Sequence, residues 1–284
     1  MPVQRHETLR MQNQPHPADF IASLAPALRT AAALARDLEG RVANRPKTGE
    51  QSPVKAALTA ADMVVQETLL GALRADLPGV ALEAEEDTPT AAHFAKAGPT
   101  LVVIDPIDGT LRFYLEGLGP YAIMAGLASE GVYSGALVAL PREDLFLDAL
   151  RGEGARIARS NSEPTSLRCS REGHRVLVSH DLPRSAVGVL LAAGFEVAPA
   201  SGGAISVAPL IPGVRAGIRL VRGGSVSVRG RIGALISREA GARVCGADGQ
   251  PFPEEIREPA STLLVAADDE DLAVLKVAAA AAQA

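Results

Sequence analysis

Residues 101–114 read LVVIDPIDGTLRFY: an apolar run, then two aspartates three apart around a proline, then Gly-Thr. Pro106 fixes its own φ and disfavours helix at the residue before it, so the pattern predicts a buried strand that ends at Asp105. Asp108 can then swing back beside Asp105 while the Ile107 carbonyl points towards the same hollow. Two carboxylates and a carbonyl form an all-oxygen donor set suited to a hard cation such as magnesium. Gly109 permits a backbone conformation with amides facing a ligand, and Thr110 opens a helical turn whose N-terminus favours anions. Metal and phosphate are expected to meet here.

Asp-Pro and Asp-Gly are also ordinary turn formers, so the string needs support from elsewhere. LEAEED at 82–87 follows an expected strand, so Glu85 or Glu86 can project from its end. LTAAD at 58–62 puts Thr59 and Asp62 at a helix start. The plainer readings are a solvated acidic loop and a helix N-cap.

The 284 residues, 47% of them apolar, suffice for one large domain or two modest ones. A net charge of -5 suggests neither a nucleic-acid coat nor a membrane-surface protein. The two cysteines, Cys169 and Cys245, lie far apart without a CxxC spacing, which argues against a disulfide framework or zinc site and for a reducing, cytoplasmic setting. The N-terminus lacks a signal-peptide apolar region, and no apolar run approaches the roughly 18 residues of a membrane span.

Three segments are expected. Residues 1–18 form a disordered polar tail; residues 19–153 form an α+β half carrying the acidic site; residues 154–284 form an α/β half. The first half holds a long helix from Asp19 that ends near Gly40 to Pro46, a second from about Thr59 to Asp76, and strands near 80, 101, 121, 131 and 144. After Gly152 strands near 176, 195, 216 and 262 alternate with helices at 183–193, 204–211 and 229–241, and a last Asp-capped helix closes the chain.

IDPIDGTLRF, the preceding AEED and the upstream SPVKAALTAAD resemble the three N-terminal motifs of the inositol monophosphatase family, within the magnesium-dependent, lithium-sensitive phosphatases that include fructose bisphosphatase. GLGPYAIMAGLASEGVYSGALVALPREDLFLDALRGEGA and GRIGALISREAGARVCGADGQPF resemble later family segments, extending the likeness over roughly residues 20–266. The resemblance implies a layered αβαβα sandwich and a phosphomonoesterase using one to three magnesium ions on a small phosphorylated metabolite: an inositol phosphate, a sugar phosphate or adenosine bisphosphate. It also implies a homodimer. By the same resemblance Glu85, Asp105 and the Ile107 carbonyl hold one ion, and Asp105 and Asp108 share a second. Asp62 and Thr110 orient and deprotonate the attacking water, and the Gly109 and Thr110 amides hold phosphate oxygens.

The chain departs from the family at two places. The family's late Trp-Asp, whose aspartate completes the second metal site, aligns with Val228 and Arg229. A cation there opposes a second ion and leaves three arrangements: Arg229 folds away, it replaces the ion as a clamp on phosphate, or catalysis is lost and a phosphorylated ligand or a protein or RNA partner is bound instead. The family's Gly-Ser before its small-residue helix aligns with SGGAIS at 201–206, so Gly203 and Ala204 offer substrate only backbone. Residues 215–243 also hold seven arginines against one acid, either a solvated face or an anion-binding surface for substrate or nucleic acid; few aromatics interleave.

Overall fold

The computed structural model describes residues 15–51 and 58–283. Most of the expected tail, and residues 52–57 of the SPVKAALTAAD motif, lie outside the described residues.

Helix α1 (Pro17–Leu38) starts two residues before its expected Asp19: Pro17 suits the first helical position, and His16 Nδ1 accepts the Ala18 N–H at 3.2 Å. It ends at Leu38, just before the expected Gly40 to Pro46 break, because Glu39 turns extended and Gly40 takes φ of 73°. By length and composition α1 could cross a membrane, which the sequence reading did not anticipate. Its face carrying Phe20, Leu24, Leu28 and Ala35 is nevertheless buried in the protein core. Helix α2 (Ala60–Asp76) opens with a capping box between Thr59 and Asp62.

Seven strands follow in sequential order in one sheet: β1 (Ala81–Ala84), β2 (Thr100–Asp108), β3 (Ala122–Ser129), β4 (Val132–Leu140), β5 (Leu145–Leu150), β6 (Gly154–Ala158) and β7 (Thr165–Leu167). Only the β1–β2 pair is parallel. The change of sheet falls after Leu167, not at the expected 153/154 boundary. The glycine-rich break there is the hairpin between β5 and β6, whose Gly152 and Gly154 both have positive φ.

The second sheet has the order β11-β12-β10-β8-β9, from β8 (Arg175–Val178), β9 (Glu196–Pro199), β10 (Val214–Leu220), β11 (Arg243–Cys245) and β12 (Thr262–Ala266). Helices α3 (Arg184–Ala192) and α6 (Asp269–Ala281) cover its outer face, while α4 (Gly202–Ser206) and α5 (Ile232–Glu239) lie between the sheets. With α1 and α2 on the outer face of the first sheet, the layers run αβαβα.

Strand β2 is buried on both faces. Val102 and Ile104 pack towards α1 and α2, and Val103 packs towards the inter-sheet layer. It does not end at Asp105, as expected from Pro106, but runs through Asp108 with a bulge: Asp105 pairs with Met124 and Asp108 with Ala122, so Pro106 and Ile107 together oppose one residue. The bulge turns Ile107 to the α1/α2 side and returns Asp108 to the face that carries Asp105.

Candidate functional site

The bulge puts Asp105 and Asp108 on the inter-sheet face at the end of β2. Glu85, one residue past β1, joins them because β1 runs parallel beside β2. Gln66, fully buried one turn beyond Asp62 on α2, fixes the path there: its amide donates to Glu86 O at 2.7 Å and accepts from Glu86 N–H at 3.0 Å. Of the two expected glutamates, Glu85 faces Asp105 and Arg229, while Lys47 Nζ lies 2.6 Å from Glu86 Oε1 and 3.5 Å from Glu85 Oε1.

Asp62 is fully buried. Its Oδ2 accepts the Thr59 N–H at 2.7 Å and hydroxyl at 2.6 Å, and its Oδ1 lies 3.0 Å from Thr110 Oγ1. The Thr110 hydroxyl is also 3.0 Å from Ile107 O, so its single proton has two acceptors. Burial holds the Asp62 carboxyl above its ordinary range, only partly offset by the threonine hydrogen bonds. Gly109 has φ of 88°, and a methyl group there would come within 2.6 Å of Phe113 Cδ2, so no other residue fits the turn into the short helical segment Thr110–Leu115.

Arg229 does not fold away. Its Nε stands 3.3 Å from Asp105 Oδ2 and 3.9 Å from Glu85 Oε2. Burial opposes the charge on Arg229, but Asp105, Glu85 and Asp108 together raise its pKa. Asp105 is held well above the usual carboxylate range, first by burial and then by the charges of Glu85 and Asp108.

For a divalent ion the fit is partial. Asp105 Oδ1 is buried with no hydrogen-bond partner, and the Glu85 carboxylate lies against it, so one cation has oxygens to meet. A second meets opposition: Arg229 Nε, 3.3 Å from Asp105 Oδ2, already puts a cation beside that carboxylate, and among the described residues no three His, Cys, Asp or Glu side chains are grouped for any metal.

The expected backbone contribution of Gly203 and Ala204 is altered. Gly203 N–H donates to Asp108 Oδ2, and Ala204 N–H lies 3.3 Å from the α4 cap, Ser201 Oγ. Gly203 N–H thus ties α4 to Asp108, and Ala204 N–H is taken up by the helix cap.

The arginine stripe does not form one surface. Arg215 pairs with Asp271, Arg243 with Asp269, and Arg238 with Glu254. Arg231, 4% exposed, donates to backbone carbonyls of Val226, Glu255 and Glu258. Arg229 faces Asp105 and Glu85, while Arg219 and Arg222 meet only backbone carbonyls among the described residues.

Lys47 and Gln66 were not singled out from sequence. For Gln66 a signal existed, since it follows Asp62 by four and so shares its helix face. Lys47 sits in a Pro- and Gly-containing loop without periodicity and gave none. A cavity of about 430 Å³ opens elsewhere, lined by Leu145, Leu177, Pro199 and Val214, and takes in none of the site's groups.

Comparison with known proteins places this geometry. The chain aligns over 91% of its length with the IMPase of Thermotoga maritima, covering 96% of that chain at 20% identity and a TM-score of 0.68. The extragenic suppressor protein suhB of Bartonella henselae aligns over 91% of this chain and 98% of its own, at 16% identity and a TM-score of 0.69. An IMPase/NADP phosphatase complexed with NADP and Ca2+ aligns over 93% and 96%, at 17% identity and a TM-score of 0.69. These likenesses show the fold. Among curated proteins none matches by sequence. The inositol monophosphatase family model matches residues 18–194, more than half the chain and the part that carries Asp62, Glu85, Asp105, Asp108 and Thr110, so this chain belongs to the inositol monophosphatase family.

Proposed function

We propose that the chain hydrolyses a phosphomonoester of a small metabolite with one magnesium ion and with Arg229 as a fixed cation in place of a second. The observation that carries this reading is the buried Thr110–Asp62 contact at 3.0 Å, set beside the unsatisfied Asp105 Oδ1. A hydroxyl aimed at a buried carboxylate is a route for a proton away from an attacking water.

Magnesium, when bound, supplies a water acidic enough to ionise near neutral pH and draws charge from the leaving oxygen. Glu85, Asp105 and the Ile107 carbonyl would hold it. Asp62, pinned by the two Thr59 bonds, takes the proton relayed by Thr110 Oγ1. The Gly109 and Thr110 amides would hold phosphate oxygens at the turn. Arg229 offsets the charge that Asp105 and Glu85 present to an approaching phosphate, and its planar fork of donors can pair with two oxygens of a phosphoryl group. Asp108, tied to Gly203, joins the inter-sheet layer to the metal strand. The setting proposed is cytoplasmic and the assembly a homodimer, both by family resemblance.

A second reading has one observation behind it, that among the described residues no three His, Cys, Asp or Glu side chains are grouped for a metal: the chain binds a phosphorylated ligand without turning it over. Phosphate release from a panel of inositol, sugar and nucleotide phosphates, with magnesium titrated, separates the two for the native chain and Arg229→Asp. Magnesium-dependent release by the native chain that Arg229→Asp abolishes supports the clamp. A silent native chain whose variant turns over supports the binding reading.

A further inference from the structure

Arg229 stands beside Asp105 without a directional bond to keep it there. Its Nε, 3.3 Å from Asp105 Oδ2, is buried and has no hydrogen-bond partner. An ion pair without an aligned N–H tolerates a range of distances and angles, so this contact does not itself fix the place of the charge. The backbone that carries the side chain does: the single turn Arg229–Arg231 between β10 and α5.

A second arginine anchors that turn from behind. Arg231, 4% exposed, sends Nε to Val226 O at 3.2 Å, Nη1 to Glu255 O at 3.1 Å and Nη2 to Glu258 O, and its Cζ lies 5.0 Å from the centre of the Phe252 ring. The fork staples the approach to the turn onto the 252–258 loop. Ser227 Oγ accepts the Gly230 N–H at 3.1 Å, and Tyr133 on β4 donates its hydroxyl at 3.0 Å to Val228 O, the carbonyl just before Arg229. The 252–258 loop is in turn held to the first sheet. Ile256 N–H donates to Gly131 O at 2.9 Å, and Arg257 Nη2 lies 2.8 Å from Glu83 Oε2, on β1 two residues before Glu85. Arg231 therefore closes a frame of hydrogen bonds with Arg229 at one end and the strand leading to Glu85 at the other.

We propose that Arg231 is a positioning residue for Arg229: by stapling the turn to the 252–258 loop it keeps the Arg229 charge against Asp105, and so sets how strongly the site resists a cation. This rests on the proposed reading in taking Arg229 as the site's fixed cation, and adds the device that fixes it. Arg231 acts only through Arg229.

The test is magnesium alone, titrated calorimetrically into the full chain without substrate, so turnover does not enter the readout. Arg231→Lys keeps the charge but cannot reach three carbonyls at once, so a change in affinity reports the position of Arg229 and not the net charge. Loosening the turn lets Arg229 draw back, and magnesium should bind about threefold or more tighter than to the native chain. That is the relief of moving one unit charge about 1 Å back from another about 4 Å away, at an effective dielectric near 20. Tyr133→Phe, which removes only the hydroxyl on Val228 O, should shift affinity the same way by less. With Arg229→Ala already in place neither change should alter magnesium affinity, because the charge they position is gone. A merely structural role predicts weaker binding in both backgrounds. Unchanged or weaker magnesium affinity in Arg231→Lys, equal tightening in the Arg229→Ala background, or no magnesium binding by any variant overturns the inference. If Arg231→Lys fails to fold, Tyr133→Phe and its double variant with Arg229→Ala decide by the same comparison. The pattern without phosphate release keeps this inference and refutes hydrolysis; phosphate release without the pattern does the reverse.

Discussion

Replacing Arg229 by alanine tests the clamp most directly. Its Nε lies 3.3 Å from Asp105 Oδ2 and 3.9 Å from Glu85 Oε2, with the side chain 28% exposed. At an effective dielectric near 20, unit charges at those separations attract by about 5 and about 4 kcal/mol, before desolvation is subtracted. Removing one partner of a buried pair leaves the other uncompensated, and the expected loss is about 3–5 kcal/mol in a metal-free protein. The loss is smaller at acid pH: Asp105 has a raised folded pKa, so protonation favours the fold, and the penalty grows as pH rises through that value. Magnesium should recover part of it, because the vacated place now admits a cation; at about 100 times the dissociation constant, binding contributes about 2.7 kcal/mol. The assay is urea unfolding at neutral pH, with chelator and then with magnesium, for the native chain and Arg229→Ala. Superimposable curves in chelator, or greater magnesium stabilisation of the native chain than of the variant, would refute the reasoning.

Thr110→Val keeps shape and removes the hydroxyl facing Asp62; turnover should fall by about 10²–10⁴-fold with little change in KM, as read from steady-state phosphate release. Because burial raises the Asp62 pKa above 3.8 and the relay needs its ionised form, activity should be present above that raised value and lost as pH falls through it; a kcat/KM profile whose acid limb lies at or below the ordinary aspartate value would contradict this. Gly109→Ala forces a β-carbon to within 2.6 Å of Phe113 at φ of 88°, and denaturant unfolding should register a loss of about 1–3 kcal/mol.

Much of the site was legible because its residues lie in short, dense motifs. Asp105, Asp108, Gly109 and Thr110 share one string, and Thr59 and Asp62 share a helix start, so local rules for turns and caps located them. The bulge was not legible. Pro106 reads locally as a strand terminator, but the pairing of Asp108 with Ala122 on β3 carries the strand past it. Likewise β6, β7 and β11 are short and weakly patterned, and they exist as strands because neighbours pair with them. The alignment on Trp-Asp pointed to Arg229, which faces Asp105 and Glu85, whereas charge counted over 215–243 could not choose between a solvated face and an anion-binding surface, since several of those arginines meet carboxylates or carbonyls from distant segments.

The site draws on segments from Lys47 to Gly230: a loop, the start of α2, the ends of β1 and β2, α4, and the connection between β10 and α5. No stretch of local sequence contains it, so the ordering entropy of long loops must be met before its charges converge. A chain with either sheet undocked has no anion pocket to offer. Ligand affinity therefore belongs to the completed fold alone, and a tight phosphate ligand would raise the free energy of the global unfolding transition while leaving partly folded species unstabilised. In a cell, substrate concentration would then act on the lifetime of the protein as well as on its turnover.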